Sequence, residues 1–186
     1  MRNGPVHNTL AILALLLCAP AWAADYSQST GSSLVFAGTY QGEVFTGRFP
    51  GFDTHLSFDP DHLDTATLRV SIPLATATTA NSDYDGEMRG ASFFNAARFP
   101  TAQYNATGFR KIGDNRYATD GTLTLHGVSK PVTLQFTWTP GAHAVLTGKA
   151  TVRRLDFGIG SGDWADTDLI PDNIAISTKV VLQPAQ

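Results

Sequence analysis

Val132-Thr133-Leu134-Gln135-Phe136-Thr137-Trp138 places an apolar side chain at every second position without exception. A β-strand sends successive side chains to opposite faces, so this run buries one face and wets the other. The same alternation recurs at Leu68, Val70, Ile72 and Leu74, and at Ile174, Ile176, Thr178, Val180 and Leu182. Leu56 with Phe58, and Leu123 with Leu125, repeat it on a shorter scale. Between the runs stand Asp59-Pro60, Gly113-Asp114-Asn115, His126-Gly127 and Pro140-Gly141, which are chain-reversing combinations. Further strands are expected over residues 33–40, 43–52, 104–111 and 146–152. A total of about eight or nine evenly spaced strands predicts an all-β sandwich or an up-and-down barrel.

Composition agrees. Of 16 acidic residues only Glu43 and Glu87 are Glu, the other 14 being Asp, and Thr occurs 22 times. Asp favours turns where Glu favours helices, and Thr suits strands. Residues 81–90, NSDYDGEMRG, break the period. With Asn81 or Ser82 as N-cap and acids in the first turn, they predict a short helix running loosely into Ser92-Phe93-Phe94.

At the amino end, Arg2 precedes an apolar run from Leu10 to Ala19, then Pro20 and Ala21-Trp22-Ala23. That is the pattern of a cleavable secretory signal over residues 1–23. The run is far short of the roughly 20 residues that span a bilayer. Leu17 stands before Cys18, where lipid attachment wants a small residue, so no stable membrane anchor is expected. Cleavage leaves residues 24–186 as one domain without cysteine, in a periplasmic or secreted setting. A domain of 163 residues (186 − 23) can bury about two-thirds of its unfolded surface without a disulfide. Loss of Arg2 changes the net charge from 13 − 16 = −3 to 12 − 16 = −4. A mildly acidic chain without a Lys/Arg cluster argues against nucleic acid and anionic membranes as partners.

Motifs for catalysis are sparse. His55, His62, His126 and His143 are not at zinc-ligand spacing, and no nucleophile motif is present. His62 and His126 read as solvated turn residues. Asp83, Asp85 and Glu87, and Asp163, Asp166 and Asp168, lack the calcium-loop spacing, so no metal is expected. The run from Gly158 to Gly162 has no helix pattern after it to supply a phosphate-binding dipole. Aromatic residues recur along the chain instead, and small residues sit inside expected strands at Ala106, Gly108, Gly148 and Ala150. Such positions mark bulges, bends or close ligand approach. A barrel of about eight strands either fills with side chains or holds one elongated ligand, and the alternation leaves both open.

Four segments carry a resemblance. They are Gly47-Arg48-Phe49 with Phe52 and Phe58-Asp59-Pro60, then Met88-Arg89-Gly90-Ala91-Ser92-Phe93-Phe94-Asn95 with Phe99-Pro100. Gly121-Thr122-Leu123-Thr124-Leu125-His126-Gly127-Val128-Ser129-Lys130-Pro131-Val132 and Arg154-Leu155-Asp156-Phe157-Gly158-Ile159 complete the set. In order and spacing, over roughly residues 26–182, they resemble the YceI-like family of bacterial periplasmic, lipocalin-like isoprenoid-binding proteins. The sequence departs from the family pattern at Asn95 for Asp, Gly90 for Ser and Tyr104 for Phe.

The resemblance implies an extended antiparallel eight-stranded lipocalin-like barrel with one short helix. It implies a non-catalytic protein whose ligand, in place of a cofactor, is a polyisoprenoid such as a quinone tail or a polyprenyl phosphate. The aromatics Phe36, Phe45, Phe49, Phe52, Phe93, Phe94, Phe99, Trp138, Phe157 and Trp164 are then the candidates to line the tube. Phe93 and Phe94 are candidates for a lid, and Arg89 or residues 163–168 for the head-group loop. An aromatic rim at the mouth also admits a homodimer. Two other readings compete: an interaction module with a filled barrel, and a hydrolase or isomerase using His126 or Asp156.

Overall fold

The computed structural model describes residues 24–185; the signal expected over 1–23 lies outside the described residues. The strands are β1 (Ala24–Gln28), β2 (Ser33–Tyr40), β3 (Glu43–Arg48), β4 (Asp53–Phe58) and β5 (Thr67–Pro73). After the helix α1 (Ser82–Arg89) come β6 (Thr101–Gly113), β7 (Arg116–Leu125), β8 (Val128–Thr139), β9 (Ala144–Arg153) and β10 (Asn173–Pro184). All pairings are antiparallel. The order β1-β4-β5-β6-β7-β8-β9-β10 closes on itself through β10 and β1, giving a barrel of eight positions.

Eight strands close the barrel, and the hairpin β2–β3 joins it on the edge of the long β10 that β1 also uses. Residues 175–179 of β10 pair with β2, and its residues 182–184 pair with β1. The chain steps from one to the other at Gly31, whose φ of +88° suits glycine. The strand expected over 43–52 ends instead at Arg48, since Pro50-Gly51 supplies a turn and Pro50 lacks an N–H to pair. β1 escapes the sequence reading because it has only five residues.

β6, β8 and β10 run to 13, 12 and 12 residues, roughly twice the usual strand length. At about 3.3 Å per residue and the usual barrel tilt, the wall stands roughly 30 Å tall. Two-residue turns hold the hairpins tight. Gln41-Gly42 and His126-Gly127 each place two successive residues at positive φ, the left-handed pair that matches strand twist. Gly108 sits where the β6–β7 register shifts, so it marks a bulge.

The alternation is obeyed face by face. Leu134, Phe136 and Trp138 are buried inside, while Thr133, Gln135 and Thr137 are exposed outside. An apolar interior and polar exterior are the reverse of a membrane-spanning barrel. No helix among the described residues is long and apolar enough to cross a membrane.

Candidate functional site: an apolar cavity above an aromatic floor

One end of the barrel is packed solid. Phe58, only 1% exposed, is surrounded by Trp138, Tyr117, Phe136 and Phe109 with ring centroids 5.0, 5.1, 5.7 and 5.8 Å away. Tyr26 from β1 closes over Trp138 edge-on at 5.4 Å. Offset and edge-to-face contacts of this kind add to the burial of the rings themselves.

Directly above lies a cavity of about 430 Å³, within the usual range for small-molecule sites. Its floor is Leu68, Leu134, Leu146 and Val180 with Thr54 and Tyr104. On each strand the next inward residue toward the packed end (Ala66, Phe136, Ala144, Leu182, Leu56, Ala106) belongs to the core. Its wall rises through Val70, Ile72, Leu123, Leu125, Val132, Ile174 and Ile176. Near the top, Phe36, Phe49 and Phe94 form a looser aromatic group at 5.2 to 6.3 Å.

Glycine makes room for two of these rings. A Cβ at Gly47 would lie 2.1 Å from Phe36, its cross-strand partner. One at Gly121 would lie 2.4 Å from the Tyr104 ring. Tyr104 donates its hydroxyl proton to the Val132 carbonyl at 3.0 Å. Burial, reinforced by the charge of Asp120, pushes its pKa up to about 12.

Three segments frame the mouth. The first is the β2–β3 turn, where Gln41 N–H donates to the Leu169 carbonyl at 3.0 Å. The second is α1, which presents Tyr84, Glu87 and Met88 to the cavity at the i, i+3, i+4 spacing of one helix face. Asn81 caps this helix, accepting from the N–H groups of Asp83 and Tyr84. Asp85, which does not border the cavity, accepts from Thr78 Oγ1 at 2.7 Å, Thr79 N–H at 2.6 Å and Thr79 Oγ1 at 2.8 Å. These bonds, that from Thr78 foremost, hold its carboxyl below the ordinary aspartate range. Thr78 in turn pairs with Arg48 at the end of β3, so the helix is tied to the barrel.

The third segment is the loop from Arg154 to Asp172, which carries Trp164 and Ile170 into the cavity wall. Arg154 is buried, and all five of its N–H groups donate to carbonyls of this loop: Pro171, Ile159, Gly160, Asp166 and Ile170. Burial lowers its pKa, yet a guanidinium stays charged in proteins. Gly158, Gly160 and Gly162 all take positive φ so that the loop can wrap it. The glycine run is thus the collar of a buried arginine.

Of the ten aromatics expected to line the tube, Phe36, Phe45, Phe49, Phe52, Phe93, Phe94 and Trp164 border the cavity. Three stand elsewhere, which corrects the expectation for their position. Trp138 belongs to the packed floor. Phe99 leans edge-on against His126 at 4.9 Å, behind the β7–β8 turn. Phe157 is buried in the turn after Arg154. His126 is also corrected: far from solvated, its ring donates from Nδ1 to the Phe157 carbonyl at 3.1 Å. It pins the β7–β8 hairpin to the arginine loop. Asp156 lies at the surface, 3.7 Å from Arg153, and neither it nor His126 borders the cavity. Among the described residues no three His, Cys, Asp or Glu side chains converge to hold a metal.

The sequence reading missed the aliphatic wall and the exposed rim, which is Glu43, Val44, Tyr84 and Glu87. Alternation says which residues face inward, but gives no height along the barrel. Asn95, a departure from the family pattern, adopts φ +45°. Asn and Asp both tolerate that region, so the exchange leaves the turn intact.

A hollow antiparallel barrel, plugged at one end and roofed by a short helix at the other, is a lipocalin-like binding fold. Over residues 22–182 the chain matches the YceI-like domain, and it belongs to that family. A UPF0312 protein of Pseudomonas aeruginosa is 32% identical over 170 residues, covering 83% of this chain and 88% of that one. The crystal structure of Burkholderia cenocepacia BcnA is similar with a TM-score of 0.78 at 25% identity, over 81% of this chain and 95% of that one. A polyisoprenoid binding domain from Saccharophagus degradans, implicated in plant cell wall breakdown, shares the fold. Its TM-score is 0.67 at 17% identity, over 88% of this chain and 99% of that one.

Proposed function

We propose that this protein is a non-catalytic periplasmic carrier that encloses the tail of a polyisoprenoid lipid in its barrel. The observation that carries the reading is the cavity itself. It has an almost wholly aliphatic and aromatic wall, stopped by a floor of interlocked rings and open on one side. Burying an apolar carbon is worth about 0.8 kcal/mol, so a prenyl chain gains affinity with each unit it inserts until it meets the floor. The Saccharophagus degradans neighbour, a polyisoprenoid binding domain, supports the choice of ligand class. Family membership supports a binding role over catalysis, as does the placement of His126 and Asp156 away from the cavity. The signal pattern at residues 1–23 supports the periplasmic setting.

In this reading Phe93 and Phe94 act as the inner side of a lid. Their segment is clipped back onto α1, with Phe94 N–H donating to the Met88 carbonyl at 2.9 Å, and to the arginine loop, with Gly160 N–H donating to Ser92 at 2.8 Å. The test is native mass spectrometry of the protein purified gently from its host's periplasm, followed by organic extraction. A discrete added mass that extracts as a prenyl lipid is the expected result, and the same spectrum reads out any homodimer. A protein that stays bare after incubation with quinones and polyprenyl phosphates overturns the carrier reading.

A further inference from the structure

Among the described residues, the charged side chains that border the cavity are three: Glu43, Glu87 and Arg154. Arg154 has no donor left to offer, because its five N–H groups are committed to the carbonyls of its own loop. The two carboxylates are placed differently. Glu43 shares the inward face of β3 with Phe45 and Gly47, while the cation of that strand, Arg48, is on the other face. Glu87 shares the cavity face of α1 with Tyr84 and Met88, while Arg89 reaches back to the Asp85 carbonyl at 2.8 Å. Both glutamates are exposed at the rim, and neither takes part in a salt bridge among the described residues.

A ligand whose tail fills the cavity must bring its head group out past this rim. The tail is held in a low-dielectric wall, which focuses the field of nearby charges at the opening. A phosphate there meets two like charges, and among the described residues the one cation that borders the cavity, Arg154, has its donors committed to its own loop. An ammonium meets two counter-charges, and an uncharged head group is indifferent to them.

We infer that the barrel selects its lipid by head-group charge, with Glu43 and Glu87 as a rim that favours a cationic amphiphile, accepts an uncharged one and rejects a phosphate. This narrows the lipid-binding reading and rests on it. Each exposed pair is worth up to about fivefold in binding, so two of them together separate an ammonium from a phosphate by on the order of tenfold or more at low salt. Added salt shrinks the difference, since the rim is open to solvent.

The experiment uses three ligands with one tail: geranylgeranylamine, geranylgeraniol and geranylgeranyl phosphate. Affinities are read from the fluorescence of Trp164 in the cavity wall, checked by native mass spectrometry, at low and high salt. The expected order is amine, alcohol, phosphate, with at least about a tenfold gap between first and last. In the double variant Glu43→Gln/Glu87→Gln, with its fold verified by circular dichroism, the gap closes. A phosphate bound as tightly as the amine overturns the inference while leaving the lipid-binding reading in place, and so does a double variant that keeps the full gap. If none of the three binds, the lipid-binding reading fails first and the charge selection falls with it.

Discussion

Two aromatic groups occupy the two ends of this barrel, and they do opposite work. At the packed end Phe58, Tyr117, Phe136 and Trp138 are all carried on β4, β7 and β8, and each is nearly inaccessible. Their backbones are held in ladders on both sides, so the rings meet at fixed distances and leave no space. At the open end Phe36, Phe49 and Phe94 come from β2, the segment after β3 and the turn after α1. Only β2 belongs to a ladder. Phe49 and Phe94 are carried on loops, and all three rings border the empty cavity instead of filling it. The same residue type therefore makes a solid stopper where every ring is carried on a laddered strand, and a cavity wall where two of the three rings come from loops.

Truncating each group tests that contrast most severely. Phe58→Ala is expected to cost about 3–5 kcal/mol in urea unfolding, since its neighbours are ladder-bound and cannot collapse into the hole. Phe94→Ala, at a ring already facing empty space, is expected to cost roughly 1 kcal/mol while weakening lipid retention. Equal losses of stability would break the comparison.

Tyr104, on the cavity floor between the two groups, gives the next largest effect. Folding raises its pKa from 10.0 to about 12, so the unfolded chain releases this proton first. The stabilisation is full below pH 10 and is lost as pH rises toward 12, by roughly 2–3 kcal/mol. Urea titrations across that range should show the fall in wild type and not in Tyr104→Phe.

The helix cap is smaller again. Asn81→Ala removes the acceptor for two N–H groups and is expected to cost about 1 kcal/mol, read as faster amide exchange in α1 with the floor strands unchanged.

Asp85 offers the gentlest probe of the open end. Its carboxyl is held below the usual range by Thr78 and Thr79, so its contribution is present above the unfolded aspartate pKa and lost as pH falls through the lower folded value. Acid below the ordinary aspartate range, and not mild acid, should therefore lower amide protection in α1 before it affects β7 and β8, and Asp85→Asn should show the lowered protection already at neutral pH.

Much of this architecture is written locally. Strict alternation over residues 132–138 of β8, paired left-handed residues at His126-Gly127, and Asn81 before an acidic first turn each depend on neighbours a few residues away. Such features survive in a linear reading because a strand or a capped helix imposes its period on the chain itself. The hollow did not. Leu134 at the cavity floor and Phe136 in the stopper are separated by one alternation step and are identical in pattern.

What the sequence alone determined is the class of strand-built domain, its one short helix, its family and the inward or outward sense of most side chains. Tertiary structure decided which inward residues meet one another and which meet space, because height in a barrel is set by the stagger between strands. It also decided that Arg154 spends all its donors on one loop and that Glu43 and Glu87 share a rim. Those juxtapositions join residues far apart in the chain, and no local period encodes them.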